Sequence, residues 1–208
     1  MAVDLPLACR CGKVRGQALG VAPGSVNRVI CHCDDCQAFA THLGGDDILD
    51  AHAGTDIAQL PPCNVKLTEG LEHVALLRLS PRGLFRWHTS CCNTPIGNTA
   101  TGPGMAFVGL VHTFVDHSEH PREEVMGPPR GRVHGRFIPL EQREGCDAHP
   151  KASVGLLAAT AAKLAAWKLS GKARPHPFFT DDGQPIAEPV VLTKEQRFAL
   201  PKGLPEER

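Results

Sequence analysis

Residues 31–36 read Cys31-His32-Cys33-Asp34-Asp35-Cys36, three thiols within six positions. Cysteines one residue apart are too close for an unstrained disulfide, so this spacing is that of metal ligands. Zinc takes sulfur donors tetrahedrally, and ordering one short loop around it costs little chain entropy. Three local thiolates, Cys31, Cys33 and Cys36, leave a tetrahedral ion one open position, the pattern of a catalytic centre. Asp34 or Asp35 can cap a short helix carrying Cys36 to Leu43, and Gly44-Gly45 ends it. Cys36 then lies in the first helical turn, where the dipole favours a thiolate. The two aspartates read as solvent-facing caps ahead of any part in orienting His32.

Further donors lie outward on both sides. Upstream is Cys9-x-Cys11 followed by Gly12, and downstream is His88-x2-Cys91-Cys92 at the end of an expected strand. Cys9 and Cys11 with His88 and Cys91 make a closed four-ligand structural set. His88 keeps the ordinary x2 ligand spacing and is favoured for the fourth place, with Cys92 competing for it. The expectation is two zinc ions per chain, one in a closed set and one in an open set. Cys63 and Cys146 have no ligand partner nearby in sequence, and the nine cysteines do not suggest a disulfide framework in a chain whose first residues lack an export signal. A cytoplasmic location is expected.

The remaining composition points to a turn-rich, mostly β protein, since 21 glycines and 18 prolines accompany 42% apolar residues. Strands are expected over Lys13 to Val21, Val65 to Thr68, Val74 to Leu79, Leu84 to His88, Met105 to Val111 and Val133 to Ile138. A longer helix is expected from Val154 to Leu169, capped by Ser153 and stopped by Gly171 and Pro175. Its face of Val154, Leu157, Ala158, Ala161, Leu164 and Ala165 should pack on the sheet or on a second copy of the chain, a route to a homo-oligomer. A Pro-rich tail follows to Arg208, anchored by Phe178 and Phe179. The division is thus a zinc-binding β domain at 1–145 and an extension at 146–208.

Lys plus Arg and Asp plus Glu number 22 each, so no net field draws nucleic acid or anionic lipid. The longest stretch without those residues, Trp87 to Val115, is broken by glycines and prolines and is no membrane span. No Ser/His/Asp arrangement, phosphate-cradling loop or paired carboxylates stand out. His112, His117 and His120 read as a solvated loop.

Three segments carry a resemblance: Cys9-Arg10-Cys11-Gly12-Lys13-Val14-Arg15-Gly16, Cys31-His32-Cys33-Asp34-Asp35-Cys36-Gln37, and Trp87-His88-Thr89-Ser90-Cys91-Cys92-Asn93-Thr94-Pro95-Ile96. In order and spacing they resemble the glutathione-dependent formaldehyde-activating enzyme and centromere-protein-V family, of Mss4-like β fold. The likeness covers residues 1 to about 115 and does not include the region after Pro150. It implies a structural zinc on Cys9, Cys11 and Cys91, and a zinc on Cys31, Cys33 and Cys36 that acts on glutathione. The implied reaction is of carbon–sulfur lyase type, reversible addition of a thiol to formaldehyde. Where that family has Phe-Cys-x-x-Cys-Gly, His88 replaces a cysteine, Cys92 replaces the glycine and Asn93 is inserted. An enzyme acting on a thiol is one reading. The other is a non-catalytic zinc-stabilised module that binds a partner through the long helix and tail.

Overall fold

The computed structural model describes residues 1–45 and 47–200. The end of the tail, residues 201–208, lies outside the described residues. The chain forms β1 (Val3–Ala8), β2 (Arg15–Val21), β3 (Asn27–Cys31), α1 (Asp34–Leu43), β4 (Thr55–Leu60), β5 (Val65–Glu69), β6 (Val74–Arg78), β7 (Phe85–Thr89), β8 (Pro95–Thr99) and β9 (Val108–Val111). The second half adds α2 (Arg122–Met126), β10 (Arg132–Val133), α3 (Val154–Leu169), β11 (Pro189–Val191) and α4 (Lys194–Ala199). The protein is mostly β. No helix is long and apolar enough to cross a membrane among the described residues.

A three-stranded antiparallel sheet, β1-β2-β5, packs on an eight-stranded sheet ordered β10-β3-β4-β9-β8-β7-β6-β11. The larger sheet is antiparallel inside and gains one parallel strand at each edge, β10 on β3 and β11 on β6. Side-chain alternation sorts its two faces. Ala58, Leu60, Val108, Leu110 and Trp87 join Leu5, Leu7 and Val14 in the core between the sheets. On the opposite face Leu77 and Val111 pack with Phe39 and Leu43 of α1. Gly97 allows β8 to approach β9 closely, since a Cβ there would lie 2.3 Å from the Gly109 carbonyl oxygen.

Charged groups brace one end of this sheet. Arg28 is buried and donates to both Asp56 carboxylate oxygens, from Nε at 3.0 Å and Nη2 at 2.7 Å. Glu123 and the Gly127 carbonyl at 2.7 Å take further guanidinium hydrogens, and Arg122 reaches Asp56 at 2.7 Å. Every formal charge here has an opposite partner, which is what makes such burial tolerable.

Both expected helices form. Gly44, at φ 68°, closes α1 in the left-handed conformation, and the Ser153 hydroxyl caps α3 by accepting from the Leu156 amide. Three expectations need correcting. The N-cap of α1 is Cys33, without a side-chain cap bond, and Asp34 and Asp35 lie within the first turn as partners of Arg197. The strand expected to Ile138 stops at Val133, because His134 turns left-handed at φ 62° and a 3-10 turn follows. On α3, Val154, Ala158, Ala161 and Ala165 face outward and Leu157, 57% exposed, lies at the edge between the two faces, whereas Leu156, Thr160, Lys163, Leu164 and Trp167 face the protein. Trp167 buries far more apolar area than an alanine can. The Lys163 ammonium also donates to the Gly24 and Val26 carbonyls at 2.7 and 2.8 Å, fixing the helix's rotation.

The segment after α3 enters the main core. Phe178 stacks on Trp87 with ring centroids 4.5 Å apart, and Phe179 stacks on Phe85 at 6.0 Å. Replacing the buried Phe178 by Ala should cost about 3–5 kcal/mol in denaturant unfolding. Leu169, 89% exposed at the end of α3, should tolerate Ala within about 0.5 kcal/mol.

Candidate metal centres

Two groups of thiols converge on the sheet framework. The first forms where the turn after β1 meets the turn between β7 and β8. Gly12 at φ 74° folds the Cys9–Val14 loop back, with the Cys9 amide donating to the Val14 carbonyl and the Val14 amide pointing to Cys9 Sγ at 3.3 Å. Across from it, Asn93 at φ 53° tightens the β7–β8 turn and presents Cys91 and Cys92. The sulfurs of Cys9, Cys11, Cys91 and Cys92 all lie within 4.8 Å of one another. Four of the edges measure 3.6 Å for Cys9–Cys11, 3.9 Å for Cys9–Cys91, 3.4 Å for Cys11–Cys91 and 3.8 Å for Cys91–Cys92. A tetrahedral ion with metal–sulfur bonds of about 2.3 Å spaces its sulfurs about 3.8 Å apart. The four thiols are therefore set at the spacing of a closed tetrahedral site, the donor set suited to zinc or iron.

This grouping corrects the favoured fourth ligand. Cys92, not His88, completes the set. Because Trp87 points into the core, strand alternation turns His88 to the other face, where its ring meets the edge of Phe39 at 6.3 Å. Burial drives its pKa down to about 4, which keeps the imidazole neutral. Burial raises the Cys92 thiol, but hydrogen bonds with the Thr89 and Thr94 hydroxyls and with Cys11 outweigh it and bring the group down to about 5. Burial and the neighbouring thiol of Cys11 push Cys91 up to about 12.

The second group is Cys31 at the end of β3, Cys33 at the N-cap of α1 and Cys36 in its first turn, again with all sulfurs within 4.8 Å. The Gln37 amide holds the loop by donating to the carbonyls of His32 at 2.7 Å and Phe137 at 2.9 Å. His32 is fully buried and belongs to neither group, its Nδ1 lying 2.8 Å from the His52 carbonyl. Hydrogen bonds with Cys33 and Cys36 raise the Cys31 thiol well above its ordinary value. A bond with Cys31 pulls Cys33 down, but Cys36 and burial prevail and push it up to about 12. Bonds with Cys31 and Cys33, reinforced by Arg86, hold Cys36 well below the usual thiol range. Negative charge collects at Cys36.

Arg86 was not among the candidates from sequence. It is 4% exposed, donates from Nη1 to Cys36 Sγ at 3.5 Å, and has Nη2 3.9 Å from Asp35. The signal was present in the alternation of Leu84 to His88, which puts an arginine on the face opposite Phe85 and Trp87. Three thiolates around a divalent cation would carry a net charge of about −1, which the guanidinium would balance. Beside the three sulfurs is a cavity of about 280 Å³ whose walls include Arg86, His134 and Leu156.

The histidine cluster needs a correction too. His112 begins a 3-10 turn, and the ring Nδ1 atoms of His112 and His117 are buried, with no hydrogen-bond partner among the described residues, rather than solvated. Burial lowers the pKa of both. Neither joins a group of metal-ligating side chains among the described residues.

Residues 1–190 match the family of unknown function DUF6151. The chain belongs to that family. No curated protein matches it. Among solved structures, the crystal structure of a Rhodobacter sphaeroides protein is similar at 16% identity and a TM-score of 0.40, covering 57% of this chain and 93% of the other.

Metal analysis of variants tests the ligand sets. Cys92→Ser should lose the metal of the four-sulfur group and with it soluble yield, whereas His88→Ala, Cys63→Ser and Cys146→Ser should each stay soluble and retain the full complement.

Proposed function

We propose that this protein is a zinc-dependent enzyme acting on a thiol or a thiol adduct at Cys31, Cys33 and Cys36, with a second, structural zinc on Cys9, Cys11, Cys91 and Cys92. The observation that carries this reading is the difference between the two groups: four sulfurs at tetrahedral spacing in one, and three sulfurs beside a cavity in the other. When bound at the three-sulfur group, zinc supplies an open coordination position and stabilises the thiolate form of an incoming thiol. The chain's own residues supply the rest. Arg86 offsets the charge of the three thiolates, so a further anionic sulfur meets less repulsion. The start of α1 adds its dipole in the same sense. His134 brings to the cavity wall an imidazole whose pKa burial lowers, the neutral form that can accept a thiol proton.

The resemblance to the glutathione-dependent formaldehyde-activating and centromere-protein-V family, with its Mss4-like fold, supports carbon–sulfur lyase chemistry. In the addition direction a carbon–sulfur bond forms at the aldehyde carbon, the carbonyl π bond opens, and the proton lost by the thiol ends on the carbonyl oxygen. No oxidant or reductant is needed. Nine free thiols suit a reducing compartment, and we place the protein in the cytoplasm. A second reading, a non-catalytic zinc-stabilised module, draws on the outward face of α3, where Val154 and Leu169 are exposed.

Two variants separate these roles. Cys9 and Cys91 are joined across 82 residues, so metal there cross-links distant chain and contributes folding free energy, on the order of 10 kcal/mol for a structural site. Cys11→Ser should therefore be insoluble or molten. Cys33→Ser should fold, keep one zinc and lose thiol-dependent activity, because its metal closes only a short loop. Soluble yield, thermal melting and zinc per chain decide the matter, and a collapse of Cys33→Ser as complete as that of Cys11→Ser would count against an open catalytic centre.

A further inference from the structure

We propose that the thiol taken at the three-cysteine centre is a small uncharged one with an apolar body, in preference to a multiply charged tripeptide such as glutathione. The inference rests on the open-centre reading above and concerns the walls of the cavity. At about 280 Å³ it lies just below the range of roughly 300–1,000 Å³ typical of pockets for drug-sized ligands. Its floor is the outward face of the larger sheet, where alternation places Val29 and Ile57 beside the amide side chains of Gln59 and Asn98. Its far wall comes from α3, through Leu156, Leu157 and Thr160.

Charge separates the two classes of thiol. Among the described residues, Arg86 is the one lysine, arginine, aspartate or glutamate lining this cavity. Its guanidinium is already directed at Cys36 and Asp35. Glutathione carries two carboxylates and an ammonium besides its thiol. Drawing those groups from water against leucine and valine, without ionic partners, is unfavourable. An uncharged thiol meets the reverse situation: its carbon skeleton covers Leu156 and Val29, and an amide or hydroxyl on it can bond to Gln59 or Asn98. The wall contributed by α3 thus sets the selectivity, although the helix carries no metal ligand. It is well held in place, since Thr160 accepts from Asn27 Nδ2 at 3.1 Å and Lys163 is anchored to two carbonyls.

The test uses the full chain loaded with cobalt(II), read by its sulfur-to-cobalt absorption, with N-acetylcysteamine, benzyl mercaptan and glutathione as probes. The two uncharged thiols should change the spectrum at concentrations at least tenfold below those needed for glutathione, and the change should be lost in Cys33→Ser. Leu157→Lys puts a cation on the cavity wall at a position 57% exposed, where folding is spared. In that variant the affinity for glutathione relative to that for the uncharged thiols should rise at least threefold. Glutathione binding as tightly as the uncharged thiols to the unmodified chain, or a selectivity ratio unmoved by Leu157→Lys, would overturn the inference and leave the open centre standing. No response to any of the three thiols would overturn the open-centre reading and this inference together.

Discussion

The alternation of side chains along β7 ties the core, the α1 face and both cysteine groups together. Five consecutive residues serve three regions because neighbours on a strand point to opposite faces. Phe85 and Trp87 enter the core between the sheets, where they meet Phe179 and Phe178. Arg86 and His88 project to the other face, one onto the Cys36 sulfur and the other against Phe39 of α1. The strand then runs into the turn that delivers Cys91 and Cys92. A register slip of one residue would bury a guanidinium among aromatic rings and expose Trp87. It would also remove the cation from the three-cysteine group.

The two cysteine groups differ physically in what they ask of the chain. Cys31, Cys33 and Cys36 are brought together by a strand end and one helical turn, so their proximity is local. The four-sulfur group exists only because β1 and the β7–β8 turn meet at one end of the stacked sheets. That meeting has its own hydrogen bond, from the Arg10 amide to the Thr94 hydroxyl at 3.0 Å. The resulting sulfur geometry is near that of a tetrahedral site even though the attachments are far apart in sequence.

The residues after 146 are woven into the sheet framework. β11 adds a parallel edge to β6, the Phe178 and Phe179 pair closes the aromatic cluster, and α3 lies across the face that carries the three cysteines. Burial of Arg86 follows from the same arrangement. An arginine at 4% exposure is costly alone, and here the Cys36 thiol, Asp35 and the face of Phe39 at 5.7 Å receive it.

Features that depend on neighbours in the chain could be read from the residues alone. The spacing of Cys31, Cys33 and Cys36, the Gly44 stop of α1 and the span of α3 from its Ser153 cap were all legible, because each is decided within one or two turns of backbone. Strands with an apolar run, such as Val74 to Arg78, were legible for the same reason. β3 and β4 were not, since Asn27, Arg28, Asp56 and Gln59 give them a polar look that only burial against partners explains. The choice between His88 and Cys92 could not be made from spacing, because both fit. What separates them is the face on which β7 presents His88 and the Asn93 turn that carries Cys92 to the other three sulfurs. The role of Arg86 and the α3 wall of the cavity likewise belong to the tertiary structure, which joins segments that no local pattern connects.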